Sequence, residues 1–442
     1  MSWARRYRLQ GYARSAIWMP PALGIAAALL LVPVLHRLET LVGWQANFAP
    51  DSARALFGAL VGATFTLVVF VSSILLLVLQ VAGAQLTPRI VGLVFRDRVT
   101  VLALTLFTFT FTFTLAVLLR IGDSFVPAVT AHMAGYLCLL CVAEFLYLID
   151  HVGRSLRPSG ALLAVSRMGH KVIASVYPRR LSESPDGTTA AAITTGGAPT
   201  RIVTSPKDGV LLAFDRQGLV ELARAADCIV ELAPEVGDFV AAGSPLFRIH
   251  GRHDGPSAIA LCRAVALGQE RTMEQDPAFA FRIIVDIASK GLSRAINDPT
   301  TAVLAIDQIH HLLRSVGSRH LDEGVARDAS QLPRLVYRTP NWEDFVRLAV
   351  TEIRHFGGGS IQVVRRLRAM LEHLAEILPA ERSALLHREL MLLQRSADRL
   401  FAEPEDRALA PQQAQGVSEK THRQPRRSAK QQTTADRSDR PP

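Results

Sequence analysis

Charged residues are scarce in this chain of 442 residues, where they make up only 20%, against about 25% in an average soluble protein. Hydrophobic residues make up 49% of the chain, and most of the apolar excess lies before residue 150. This uneven distribution argues against a single soluble globular domain. The sequence divides into an apolar half and a more polar half.

Cysteine is also scarce, with four residues, which excludes a secreted disulfide framework. Cys138 and Cys141 lie three residues apart in an apolar run, where small packing residues are favoured over a redox pair. The sequence has no zinc-ligand spacing, no nucleophile elbow and no nucleotide-binding fingerprint. We therefore predict neither an enzyme nor a bound metal or cofactor.

Long apolar runs are what the sequence does have. Four runs contain no Lys or Arg, at residues 17–35, 56–81, 101–119 and 125–148. A helix needs about 20 apolar residues to cross the hydrocarbon of a bilayer. Buried helices of a soluble protein are the alternative, but four such runs favour four transmembrane helices within residues 1–150.

Basic residues alternate from one side of these runs to the other. They are concentrated before the first run, between the second and third, and after the fourth. Since Lys and Arg mark the cytosolic side, we predict a multi-pass protein of a bacterial inner membrane with both termini in the cytosol. The net charge of +10 then faces anionic lipid headgroups. Nucleic acid is not an expected partner, because no recognition helix or aromatic-studded basic strand is present.

Polar side chains occur inside two of the spans. On a helix Thr105, Thr108 and Thr112 form one stripe, which favours helix packing through hydroxyl groups over the lining of a wet path. Glu144 lies near the end of the fourth span. An acid there is either an interfacial group or a functional one, and the sequence leaves both open.

The second span leads into a short polar segment that contains Gln85, Pro88 and Arg89. Proline ends the helix, and the arginine marks the cytosolic boundary. The segment is typical of an interfacial joint between a helix and a loop, although simple anchoring of the helix end explains it as well.

An α+β region is predicted after the spans. Short β-prone runs separated by Gly-Asp and Gly-Ser-Pro turns predict a small barrel-like domain, and regularly spaced apolar residues from Ile361 onward predict a helical bundle. The expected parts are a helical linker with a flexible loop (residues 151–200), the β domain (201–255), the helical domain (256–402) and a disordered basic tail (403–442).

Two helix starts are marked by the same pair of residues, Asp276 with Pro277 and Asp298 with Pro299. Aspartate is a good N-cap, and proline suits the first position of a helix. In the first of these helices Arg282, Asp286 and Lys290 are four residues apart and share one face, so that they can pair in series.

Several of these segments together resemble a known family. They are Gln85-Leu86-Thr87-Pro88-Arg89, Asp286-Ile287-Ala288 and Asn297-Asp298-Pro299-Thr300-Thr301-Ala302. The sequence resembles the domain-of-unknown-function family 2254, a family of predicted bacterial membrane proteins. The resemblance runs from the first span to near residue 400. It implies a membrane protein and no particular activity.

The segment from Ser293 to Thr301 has two interpretations. In the first, Asp298 caps a helix, Thr301 lies near its third position and Asn297 holds the turn. In the second, these residues and Asp286 form a polar site for a cation or small ligand. Capping is favoured, because it explains Asp298 and Pro299 directly.

Two classes of function remain. The first is an oligomeric channel-like or transport-related protein with a cytosolic assembly or gating module. Four spans are few for a monomeric transporter, which favours a homo-oligomer. The second is a membrane-anchored sensing or scaffolding protein that conducts nothing.

Overall fold

The computed structural model describes residues 3–7, 16, 18–44, 49–85, 87, 89, 98–122, 126–155, 157–181, 197–251 and 255–409. Four helices are long and apolar enough to cross a membrane. They are α1 (Met19–Val42), α2 (Pro50–Gln85), α3 (Arg98–Leu118) and α4 (Ala128–Ser155). The four predicted spans are thus confirmed, with ends that move by a few residues.

α3 is the central span, since it contacts each of the other three and is the most buried of the four. It approaches α1 closely at Gly24, where an added Cβ would lie only 3.2 Å from the Thr105 carbonyl oxygen. Small residues allow such close packing between spans. The large side chains of Phe107 and Phe113 on α3 are fully buried.

The extramembrane region, residues 157–409, contains a helical core. The helices that build this core pack into one large apolar cluster. They are α5 (Pro158–Val176), α8 (Pro277–Gly291), α9 (Pro299–Gly317), α10 (Trp342–Gly357), α11 (Ile361–Ile377) and α12 (Ala380–Leu400). A short α13 (Pro404–Leu409) follows them.

A β region interrupts these helices, between α5 and α8 and again between α9 and α10. Its elements are β1 (Arg201–Thr204), β2 (Gly209–Phe214), α6 (Arg216–Ala225), β3 (Ile229–Leu232), β4 (Phe239–Val240), β5 (Pro245–His250), α7 (Ala258–Arg263), β6 (Val265–Gly268), β7 (Val325–Arg327) and β8 (Pro333–Tyr337). The strands form a five-stranded sheet in the order β1-β5-β3-β8-β7 and a three-stranded sheet in the order β4-β2-β6.

The expected barrel over residues 201–255 needs correction. The described strands form two open sheets, and no closed barrel is present among them. β6, β7 and β8 come from beyond residue 255, and β8 pairs in parallel with β3, with Val230 opposite Leu335. Strands of three to five residues that join a sheet from a distant part of the chain have no local signal, because only their long-range pairing makes them strands.

Candidate functional site

Arg89, which follows the second span, forms an ion pair with Asp286 of α8, 197 residues away in the sequence. Beside it, the Lys290 ammonium group donates a hydrogen bond of 3.1 Å to the Gly83 carbonyl oxygen near the end of α2. We call these four residues the joint. The sequence singled out Arg89 and Asp286 separately, and the structure brings them together.

α8 presents its three charged residues to three different partners. Asp286 pairs with Arg89, which follows α2, and Lys290 contacts Gly83 near the end of α2. Arg282 pairs with Glu352 of α10 at 2.5 Å. The three share a face, as predicted, but the hydrogen-bonded pairs run between elements rather than in series along α8. The same helix is therefore tied both to the membrane region and to the helical core.

The joint is only partly shielded from water. The Asp286 side chain is 27% exposed and that of Arg89 is 48% exposed. Burial raises the pKa of Asp286, and the nearby guanidinium groups of Arg89 and Arg282 offset only part of this effect. The ion pair thus holds a carboxylate where ionisation is otherwise disfavoured.

A chain of contacts runs from the joint toward the start of α8. The guanidinium groups of Arg89 and Arg271 both approach the ring of Phe279, at 5.9 and 5.2 Å from its centroid. Arg271 in turn pairs with Asp276, the buried N-cap of α8, which also accepts a 3.0 Å hydrogen bond from the Phe279 amide. The start of α8 is therefore connected to Asp286 by cation–π and ionic contacts.

A cavity of about 370 Å³ lies at the start of α8. Its wall combines the end of α5, the end of β2, the turn after β3 and the segment after β8. Asp276 and Pro277, the cap and first residue of α8, form part of this wall. One helix thus lines a cavity at its beginning and contacts the second span near its end.

Comparison with known proteins supports the prediction of a membrane protein. The family of predicted membrane proteins denoted DUF2254 matches residues 14–373 of the chain. The chain belongs to this family. Uncharacterized proteins of Mycobacterium bovis and of two strains of Mycobacterium tuberculosis are each 27% identical to it, in matches that cover 92% of this chain and 80% of each relative. No solved structure matches the chain.

The part of the chain that matches DUF2254 includes the four spans, the joint and the cavity, and it ends within α11. The resemblance noted in the sequence is thereby confirmed. Of the membrane-interface residues, Pro88 lies outside the described residues, and Gln85 is described only as the last residue of α2. Arg89 is the residue of this group with described side-chain contacts.

The segment from Ser293 to Thr301 has the contacts of a helix cap. Asp298 accepts a hydrogen bond of 3.1 Å from the Thr301 amide and one of 2.5 Å from the Thr301 hydroxyl. Ser293 donates to the Lys290 carbonyl at 2.7 Å. Asn297 is exposed and has a φ of 49°, which places it in the left-handed region that asparagine tolerates. Asp286 points elsewhere, to Arg89.

The threonine stripe of α3 is satisfied within its own helix. The hydroxyl groups of Thr105, Thr108 and Thr112 donate to the carbonyl oxygens of Val101, Leu104 and Thr108, at 2.7 to 2.8 Å. Thr105 also packs against Gly24. Glu144 of α4 is half-buried, and no hydrogen-bond partner for it occurs within the described residues.

Sequence analysis missed polar contacts between spans. Glu39, only 2% exposed, accepts hydrogen bonds from the Val129 and Thr130 amides and so caps the start of α4. Cys141 donates to the Thr110 hydroxyl at 3.3 Å. A glutamate at the end of an apolar run was the available signal for the first, since such a group needs a donor when it is buried.

Proposed function

We propose that this DUF2254 protein is an oligomeric channel-like or transport-related protein whose extramembrane region controls the second span. The observation that supports it is the position of α8. The start of this helix, Asp276 and Pro277, lines a cavity, while Lys290 contacts Gly83 near the end of α2 and Asp286 pairs with Arg89, which follows α2. A change in the cavity wall would move the same helix that contacts the span.

The proposed location is a bacterial inner membrane, with the extramembrane region and both termini in the cytosol. The distribution of Lys and Arg supports this orientation. The contact between Arg89 and Asp286 fits a four-span arrangement, in which the link after the second span lies on the same side as the region after the fourth. The assignment of that side to the cytosol is supported by the basic residues. Anionic headgroups are then the expected partners of the basic segments.

Reporter fusions test the orientation. Fusions after residues 50 and 122 are expected to report the outside, and fusions after residues 91 and 160 the cytosol. An outside signal at residue 160 would overturn the proposed orientation.

A homo-oligomer is part of the proposal. α3 is packed against the other three spans, and the described threonine hydroxyls of its stripe are bonded to their own helix. The described part of α3 therefore offers little polar surface for a path inside one chain, so we place a path between the spans of more than one chain.

A second candidate is a membrane-anchored sensor or scaffold that conducts nothing. The same closed packing of α3 favours it, because spans that serve only as anchors need no polar path. In this case α8 would transmit a change from the cavity to the membrane, or in reverse, without ion or solute flux.

Flux measurements separate the two candidates. The purified full chain is reconstituted in vesicles of phosphatidylethanolamine and phosphatidylglycerol, and entry of K⁺, Na⁺ and Cl⁻ is followed. We expect flux with the natural chain and a changed flux with Asp286→Asn, which removes the charge at the joint. Glu372→Gln, which removes an exposed charge of α11 outside the joint, is the matched control and is expected to leave flux unchanged. Absence of flux above that of empty vesicles for all three ions would reject conduction of these ions and favour the second candidate.

A further inference from the structure

The cavity at the start of α8 has the size of a small-molecule site. Its volume of about 370 Å³ lies within the range of roughly 300–1,000 Å³ that ligand pockets occupy. Three aromatic side chains contribute to its wall: Tyr177, Phe214 and Tyr337. The rings of Phe214 and Tyr337 pack together at 5.1 Å between centroids. The wall is therefore largely preformed by buried rings.

Most of the polar groups in the wall already have partners. Asp276 is paired with Arg271 and caps α8. Gln275 accepts from the Phe214 amide at 3.1 Å. Asp322 accepts from Arg216 at 2.9 Å and from the Tyr337 hydroxyl. These groups shape the cavity, but their charges and hydrogen bonds are used within the protein.

Glu235 differs from these groups. Among the described residues, the cation that pairs with its carboxylate is Arg338, at 4.0 Å. The Arg338 side chain is 68% exposed, whereas that of Glu235 is 25% exposed. An ion pair at this distance with a solvent-exposed arginine contributes little to stability. Burial raises the pKa of Glu235, and Asp238 raises it further. A carboxylate that is shielded from water and weakly paired gains from a better cation.

The turn that carries Glu235 is held in place. The Glu235 amide donates to the Asp238 carboxylate at 2.9 Å. Gly237 has a φ of 99°, and an added Cβ there would lie 2.5 Å from Nε of Arg271. Glycine thus permits both the turn and the approach of Arg271 that fixes Asp276. Contacts within the protein itself therefore fix the turn that carries Glu235.

Acidic residues outnumber basic residues in the wall of the cavity. Four acidic residues line the cavity, Glu235, Glu274, Asp276 and Asp322, against two arginines, Arg216 and Arg338. Arg216 already lies over the ring of Tyr337, at 5.5 Å from its centroid. Acidic groups beside aromatic rings form the combination that recognises organic cations.

We propose that this cavity binds a small organic cation that carries an ammonium or guanidinium group, with Glu235 as its counter-ion. The ligand's apolar part lies against the rings, and its cationic group replaces Arg338 beside Glu235. The proposal does not require conduction, and it does not depend on the joint.

Binding to the purified full chain in detergent tests the proposal. The probes are benzylamine, putrescine and guanidinium, with benzoate and inorganic phosphate as anions, and the readout is isothermal titration calorimetry. We expect at least one of the three cations to bind and both anions to fail. Glu235→Gln is expected to weaken that binding about tenfold or more, which corresponds to about 1.4 kcal/mol. Glu372→Gln, an equal change of charge on α11 away from the cavity, is expected to leave it unchanged.

Arg338→Gln is a second test at the same carboxylate, whereas a general charge effect is excluded by an unchanged affinity in Glu372→Gln. Because Arg338 competes with the ligand for Glu235, its removal is expected to tighten cation binding. Binding of an anion that is lost in Arg338→Gln would overturn the proposal, as would failure of all three cations or equal affinity of Glu235→Gln. Asp286→Asn at the joint is expected to retain binding. A joint variant that alters flux but not binding therefore separates this proposal from the proposed function.

Discussion

Asp286 and Asp298 lie close together in the sequence, yet their environments shift their pKa values in opposite directions. Asp286 lies on the face of α8 and pairs with Arg89, 197 residues away, and burial raises its pKa. Asp298 begins α9 and bonds to Thr301, and the hydrogen bond from the Thr301 side chain lowers its pKa. One carboxylate therefore connects two regions of the molecule, whereas the other completes a single helix.

The comparison teaches that the position of an acid on its helix decides its role. A carboxylate at the first position outside a helix finds amide donors in its own chain. A carboxylate in the middle of a helix has no free amide nearby, so its partners are cations, either on its own helix or, as for Asp286 and Arg89, from another part of the chain. Asp286 is for this reason the better indicator of coupling between the membrane and extramembrane regions.

The largest expected effect is that of reversing the charge of Asp286. Asp286→Arg places two guanidinium groups together and removes a charged hydrogen bond, which is expected to lower stability by about 1.5 to 3 kcal/mol. The lower part of this range is expected, because Arg89 is 48% exposed and solvent screens the repulsion. Thermal melts of the full chain in detergent measure the change.

A double variant serves as the control for this prediction. Arg89→Asp combined with Asp286→Arg restores opposite charges at the joint and is expected to recover at least half of the lost melting temperature. If the double variant is no more stable than the sum of the two single changes predicts, the pair is not coupled. The contrast between Asp286 and Asp298 would then have no energetic basis.

The sequence predicted the parts that depend on local pattern. The four spans follow from apolar length, and the caps at Asp276 and Asp298 follow from the residue pair Asp-Pro. The joint could not be predicted, because nothing in the local sequence at Arg89 indicates which distant acid it contacts. The two open sheets were missed for the same reason, since β7 and β8 join from far along the chain.

The intermediate effect is that of removing the cap at Asp298. Asp298→Ala is expected to lower stability by about 0.5–2 kcal/mol. Asn297→Gly is the matched control at the neighbouring position and is expected to change little, because glycine adopts the left-handed φ of 49° freely. Thermal melts at neutral pH compare the two variants. A larger loss with Asn297→Gly would indicate that the Asn297 side chain holds a ligand, and the capping interpretation would fail.

The pH dependence of this cap has a definite sign. The folded-state pKa of Asp298 lies below its ordinary value of 3.8, so its stabilisation is present above that value and is lost as the pH falls through the folded pKa. The difference in melting temperature between the natural chain and Asp298→Ala is therefore expected to shrink in acid. A difference that stays constant between neutral pH and pH values below 3.8 would contradict a role for the ionised carboxylate.

The smallest expected effect is that of Glu235→Gln in the absence of ligand, and its sign is opposite to that of Asp298→Ala. Burial raises the folded-state pKa of Glu235 above its ordinary value of 4.5. The folded protein therefore binds this proton more tightly than the unfolded chain, and stability falls as the pH rises from 4.5 through the folded pKa. Glutamine removes this loss, so the variant is expected to be more stable at neutral pH by about 0.5 kcal/mol or less. Melts across this pH interval, with Glu372→Gln as the control, measure the effect. A lower melting temperature for Glu235→Gln at neutral pH would mean that Glu235 is already well paired in the protein. The Glu235 carboxylate would then be satisfied within the protein and would not serve as a counter-ion for a ligand. Only the comparison between Asp286 and Asp298 would remain.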